Sequence, residues 1–274
     1  MGIFHADRDL ASRIEESGVR DMEAYVVAAR DSGVYGEAAF FKVGGGIAAW
    51  FSVQNVLNGS VGLGMNGFVE LEEVAALEAF YRERGSQPVL DVCPLADASL
   101  TAWLAERGFV PVSYDNVLVR PVGGEDELPG VAQGVEVLTG EAVERALWAE
   151  LVARGFTEDQ PTAEDFRVAR ASSMRDDVIR VVALVDGVPA GAGMLCVEDS
   201  LGHLNGDSTL PAFRGRGAQQ ALIAERLRYA AARGADLVYV ETTPGSGSQR
   251  NMERLGFRLA YTRMSLAHGQ SYGC

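Results

Sequence analysis

The sequence predicts a duplicated α/β fold, and three observations carry that expectation. First, the chain repeats itself. ALEAFYRERG (76–85), PVLDVCP (88–94) and SLTAWLAERGF (99–109) are matched in order by ALIAERLRYAAARG (221–234), LVYVETT (237–243) and SQRNMERLGF (248–257). Each set reads as helix, buried strand, helix, with Gly85, Gly108, Gly234 and Gly256 at the left-handed position just past a helix end. Second, residues 123–130, within the acidic and glycine-rich run Val122 to Gly130, have no hydrophobic period and read as a linker. The expected parts are therefore 1–122, a linker at 123–130, 131–266, and a short tail at 267–274. Third, hydrophobic residues make up 47% and charged residues 23%, enough apolar material for cores of ordinary size.

The second half can be read element by element. Val135 to Leu138 is a short strand, and Glu141 to Arg154 and Ala163 to Met174 have helical spacing. Val178–Val185 and Ala190–Val197, joined through Asp186-Gly187, form a hairpin. A strand over about 202–210 follows, then a helix at 218–233, a strand at 237–241, a helix at 247–255 and a last strand at 257–266. On the 218–233 helix Leu222, Ile223, Leu227, Ala230 and Ala231 form the apolar face, which leaves Arg226, Arg228 and Arg233 for solvent.

Charge and cysteine content narrow the function. The 24 basic residues against 38 acidic ones give a net charge of −14, with no basic patch to attract nucleic acid or an anionic membrane. Lys42 is the only lysine, as in GC-rich bacterial coding. Cys93, Cys196 and Cys274 lack metal or redox spacing, and with three histidines no metal site is expected. The charged start MGIFHADRDL is unlike a signal peptide and no apolar run is long enough to span a bilayer, so the expected location is the cytoplasm.

The stretch most informative about chemistry is Thr209-Leu-Pro-Ala-Phe-Arg-Gly-Arg-Gly-Ala-Gln219, between a strand and the amphipathic helix. Gly215 and Gly217 let backbone approach a ligand, and the first helical turn offers N–H groups at the positive end of the helix dipole. Arg214 and Arg216 add charge, and no carboxylate follows until Glu225. Such a turn suits a pyrophosphate. In the first half the corresponding run, Gly64 to Glu73, has no arginine, and Glu70, Glu72 and Glu73 crowd the helix start. Those carboxylates satisfy the dipole themselves and repel phosphate, so that half is expected to bind no such ligand.

The 209–219 run resembles motif A of the GCN5-related N-acetyltransferase family, (Q/R)-x-x-G-x-(G/A), with Arg214 and Gly217 in its first and fourth places. Pro211 precedes the arginine by three residues as in that family, and Leu255-Gly-Phe257 looks like the L-G-F before its last strand. The resemblance covers about 131–266 and more faintly the first half, as in tandem members. It implies two units, each a mixed, mostly antiparallel twisted sheet flanked by helices. It also implies acetyl-CoA or another short acyl-CoA as co-substrate, held by Phe213, Arg214, Gly215, Arg216, Gly217, Ala218 and Gln219. The pantetheine would run beside Ser208, Thr209 and Leu210, opposite Ser248 and Asn251, and the thioester carbonyl would accept an N–H near Leu210. Two positions depart from the pattern: Gln219 replaces a small residue, and Met252 stands where a tyrosine commonly protonates the leaving thiolate.

The implied activity is acyl transfer to an amine, a small molecule rather than a protein, by direct attack in a ternary complex and in a monomer or homodimer. A non-catalytic acyl-CoA sensor or carrier is the alternative. Candidates for proton transfer are Glu241, Asp207 and His203, with Glu198 and Asp199 at the hairpin end, and Tyr261 as a substitute acid.

Overall fold

A computed structural model describes residues 6–123, 130–157 and 160–269. Contacts gather them into two compact units: the described residues of 1–118, 241–249 and 259–274, and those of 119–240 and 250–258. Six of the eight residues of the expected linker, 124–129, and all but three of the expected tail lie outside the described residues.

The first unit starts with α1 (Arg8–Asp31), whose N-terminus is capped by the Asp7 carboxylate accepting from the Leu10 N–H. Then come β1 (Ala39–Val43), β2 (Gly46–Trp50), β3 (Gly59–Val61), α2 (Leu71–Arg82), β4 (Val89–Val92), α3 (Ala98–Glu106) and β5 (Phe109–Pro121). The sequence repeat marks α2, β4 and α3 but gives no sign of α1 or of β1 to β3. Pairing is antiparallel from β1 to β3 and parallel between β3 and β4. Val74, Leu77, Leu90, Val92, Leu100 and Leu104 build the core between α2, α3 and the sheet.

The second unit follows the expected order closely. It contains β6 (Val135–Thr139), α4 (Arg145–Phe156), α5 (Ala163–Ser173), β7 (Val178–Val185), β8 (Val188–Glu198), β9 (Leu201–Thr209), α6 (Ala218–Ala232), β10 (Leu237–Thr242) as far as Val240, and α7 (Gly247–Arg254) from Arg250 onward. Strand order is β10-β9-β8-β7-β6, antiparallel except for the parallel β9–β10 pair. Asp186 and Gly187, both at positive φ, make the tight turn of the β7–β8 hairpin. Alternation along β7 sorts the layers: Val182 packs with α4 and α5, whereas Val181, Ala183 and Val185 pack with α6. The helix expected from Glu141 begins later. A 3₁₀ turn at Gly140–Ala142 gives way to extended backbone at Val143, which buries its side chain before α4 starts.

Two expectations are corrected. The strand expected to close the second half, β11 (Arg258–His268), pairs antiparallel with β4, Met264 facing Val92. Arg226 is not on a solvent face; it is fully buried in α6, because Asp207 and main-chain carbonyls answer all of its nitrogens. Gly85, Gly108, Gly234 and Gly256 do take the positive φ that the helix-stop reading requires.

Candidate active site

The site is assembled where β9 runs out. β9 is in register with β10 only over Leu201–His203 against Leu237–Tyr239, yet β9 continues to Thr209. The residues 204–209 are thus laddered by β8 on one side, and among the described residues the β10 register does not continue along their other edge. A 3₁₀ turn at Pro211–Phe213 follows, started by proline whose missing N–H costs nothing there. Arg214 is extended and Gly215 takes φ +75° with open space where a Cβ would stand. Gly217, at φ +87°, caps α6 by backbone alone. An added Cβ at Gly217 would lie 2.7 Å from Ala132 Cβ.

Because no side chain caps α6 and its first turn carries no acid, the N–H groups from Ala218 onward point outward with the positive end of the dipole behind them. α2 in the first unit shows the contrast. Glu70 and Glu73 form a capping box there, and Glu73 Oε1 also accepts from the Gly44 N–H at 3.0 Å. In α2 a carboxylate of the chain itself takes the helix N-terminus that in α6 has no side-chain cap.

The other residues around the turn are tied to one another. Arg216 forms an ion pair with Asp186 on the β7–β8 turn and lies over the Phe213 ring at 5.6 Å. Arg214 Nε donates to the Thr209 carbonyl at 3.4 Å. Asn251 Nδ2 donates to Gln219 Oε1 at 2.7 Å, so the start of α6 and α7 are latched side chain to side chain. This is what Gln219 does in place of a small residue. Ser208 Oγ is buried and donates to the Leu151 carbonyl at 3.1 Å, anchoring β9 to α4. The Leu210 N–H, expected to meet a thioester carbonyl, instead donates to Ala190 O at 2.9 Å and extends the β8 pairing. Met252 is fully buried, an apolar filler where the family motif has a tyrosine.

The candidates for proton transfer have distinct surroundings. Asp207 accepts two bonds from Arg226. His203 is buried on β9 and stacks on Tyr239, centroids 4.3 Å apart. Glu198 ends β8 opposite Leu201 and Asp199 follows it in the turn, about 26 Å along β9 from Thr209 at ~3.3 Å per residue, so the 209–219 turn does not gather them. Glu241, Ser248 and Tyr261 belong to the first unit. There Tyr261 donates its hydroxyl to Glu15 at 2.8 Å, and burial together with the Glu15 charge pushes the phenol well above its usual pKa. Glu241 Oε1 accepts from Arg263 at 2.8 Å, and Ser248 is half-buried on α7. Arg226 and Gly193, which shape β9, escape sequence reasoning; a lone arginine on an amphipathic helix gives no sign of a buried partner nineteen residues away.

The model of the acetyltransferase (GNAT) family matches residues 142–257, which spans the turn. This segment belongs to the GNAT family. It is accordingly an N-acetyltransferase domain of the acetyl-CoA-using kind. Among solved structures, a GCN5-related N-acetyltransferase from Kribbella flavida is 19% identical, with 90% of this chain and 95% of that one covered and a TM-score of 0.64. One from Sphaerobacter thermophilus is 15% identical (84% and 75% covered, TM-score 0.59). A tandem GNAT protein from the clavulanic acid biosynthesis pathway is also 15% identical (82% and 78%, TM-score 0.60). At these identities the likeness is one of fold, and it extends over most of the chain. No curated protein matches it.

The GNAT segment fits the diphosphate of acetyl-CoA on its own geometry: an uncapped helix N-terminus, glycines at positive φ and two arginines within one turn. Among the described residues no helix is long and apolar enough to cross a membrane.

Proposed function

We propose that the protein transfers an acetyl or other short acyl group from CoA to the amine of a small molecule, by direct attack in a ternary complex. The observation that carries the reading is the contrast between α6, whose N-terminus is left without a side-chain cap, and α2, whose N-terminus is closed by Glu70 and Glu73. Acetyl-CoA supplies the activated acyl group. The chain's part is to hold and aim it: the α6 N–H groups with Arg214 and Arg216 take the diphosphate, and the edge of β9 guides the pantetheine arm. The net charge of −14 favours a cationic acceptor over an anionic one.

An alkylamine with a pKa near about 10.4 must lose a proton before it attacks. Among Glu241, Asp207, His203 and Tyr261, Glu241 has the more exposed carboxylate, 27% for its side chain against 12% for that of Asp207, while His203 and Tyr261 are buried. Calorimetry with acetyl-CoA tests the first step, and thiol release against a panel of small amines tests the second. Heat without turnover across the panel would reduce the protein to a CoA-binding module. If the Glu241 carboxylate takes the amine proton, Glu241→Gln should remove the acid limb of the kcat profile, and an unchanged limb would exclude it.

A further inference from the structure

Arg226 is fully buried in the middle of α6, and the reaction as described has no use for it. Its Nε donates to the Leu222 carbonyl at 3.1 Å. Its NH1 reaches the carbonyls of Met194 at 3.0 Å and Asn205 at 3.4 Å and Asp207 Oδ2 at 3.1 Å, while NH2 donates to Asp207 Oδ1. Every nitrogen of the guanidinium is engaged, and the Met194 and Asn205 carbonyls lie on two different strands.

Met194 and Asn205 face each other at one end of an irregularity. Ala192 faces Ser208 and Met194 faces Asn205, so Gly193 alone opposes Gly206 and Asp207. This is a β-bulge, a place where pairing can slide by a residue unless something fixes it. Its geometry is specified from both sides. Gly206 takes φ +66° with Trp148 packed so closely that an added Cβ would lie 3.0 Å from the indole ring. Trp148 Nε1 donates to the Gly193 carbonyl at 2.8 Å. A side chain at Gly193 would displace the guanidinium, because its Cβ would come within 2.8 Å of Arg226 Cζ. A buried ion pair is poor material for stability alone, since apolar residues of similar size serve as well or better. A planar five-donor fork is good material for setting two strands at one offset.

We propose that Arg226 is a positioning residue for acyl transfer: through Asp207 and the Met194 and Asn205 carbonyls it fixes the β9 bulge. It thereby sets the edge, Ser208 to Leu210, along which the pantetheine arm is aimed. Asp207 is then the other half of a clamp and not a base. The inference rests on the reading that acetyl-CoA occupies the β9–α6 turn. The diphosphate contacts come from the start of α6, about 12 Å away along the helix at ~1.5 Å per residue, and should be indifferent to the clamp.

That separation supplies the test. Affinities for acetyl-CoA and for ADP, which carries a diphosphate but no pantetheine, are measured by calorimetry on wild type, Arg226→Met, Arg226→Lys and Gly193→Ala. Gly193→Ala leaves every charge in place and requires no left-handed backbone; it only pushes the guanidinium aside. It keeps the question answerable if Arg226→Met fails to fold. Acetyl-CoA should bind about tenfold more weakly or worse to Gly193→Ala and Arg226→Met and at an intermediate level to Arg226→Lys, with ADP unchanged within about twofold. Equal losses for both ligands, or no loss for either, would overturn the clamp. Wild type that binds no acetyl-CoA would remove the underlying reading first and the clamp with it.

Discussion

At the scale of single residues, the turn's arginines differ in what they already hold. Arg216 is paired with Asp186 and must exchange that carboxylate for phosphate, whereas the bond of Arg214 within the chain is a long one to a carbonyl. Removing both, as Arg214→Ala with Arg216→Ala, should weaken acetyl-CoA binding by about 1.5–3 kcal/mol for each charge-assisted hydrogen bond to the diphosphate; an unchanged dissociation constant would move the site elsewhere. Gly217→Ala should cost about 1–2 kcal/mol of stability from its positive φ alone, with the Ala132 clash adding to it, readable in urea unfolding. Both glycines and both arginines of the turn were legible from sequence, because a glycine demanded by φ and an exposed charge act locally. Arg226 was not legible: its burial depends on Asp207, which chain folding brings to it.

At the scale of elements, the two helix starts differ in what they leave for an anion. Glu73 in α2 serves its own helix and the Gly44 N–H at once. Glu73→Ala should lower stability by about 1 kcal/mol, the usual worth of a cap, without creating an acetyl-CoA site, since no arginine is present in the 64–73 run. α7 poses the opposite case. Met252 is packed with no exposed surface, so restoring the family's tyrosine as Met252→Tyr should overpack the core by about 1–3 kcal/mol rather than simply add an acid, which thermal unfolding would show. Element order in the second half was legible almost residue for residue, since hydrophobic period and glycine stops are local signals. The break before α4 was not, because the burial of Val143 is a tertiary matter.

At the scale of the whole chain, the first unit is closed by its most distant segment. Arg263 on β11 pairs with Glu15 on α1 at 2.8 Å, and both are buried. Burial works against the Arg263 charge, yet Glu15 and Glu241 hold its pKa well above the usual value. Breaking the pair with Glu15→Gln should cost about 3–5 kcal/mol, because a buried guanidinium loses the buried one of its two carboxylate partners and keeps only Glu241. On the same strand Ser265 donates to Asp91, whose pKa burial raises above 3.8. A raised carboxyl favours the fold below the unfolded value, and that contribution is lost as pH rises through the folded one. Asp91→Asn should therefore gain stability relative to wild type as pH climbs from 3.8 toward neutrality, and a constant difference across that range would refute the assignment.

The sequence by itself determined the duplicated order of helices and strands, the glycine and arginine turn, and the acid-crowded helix start that replaces it in the first half. Each is a short-range property: a hydrophobic period, a backbone angle, a charge at a helix end. The tertiary structure alone decided that β11 pairs with β4, that Arg226 turns inward to Asp207 under a β-bulge, and that Tyr261 and Glu241 share Arg263's neighbourhood. These depend on which groups meet across long stretches of chain, where burial makes a charge seek a partner that no local pattern names.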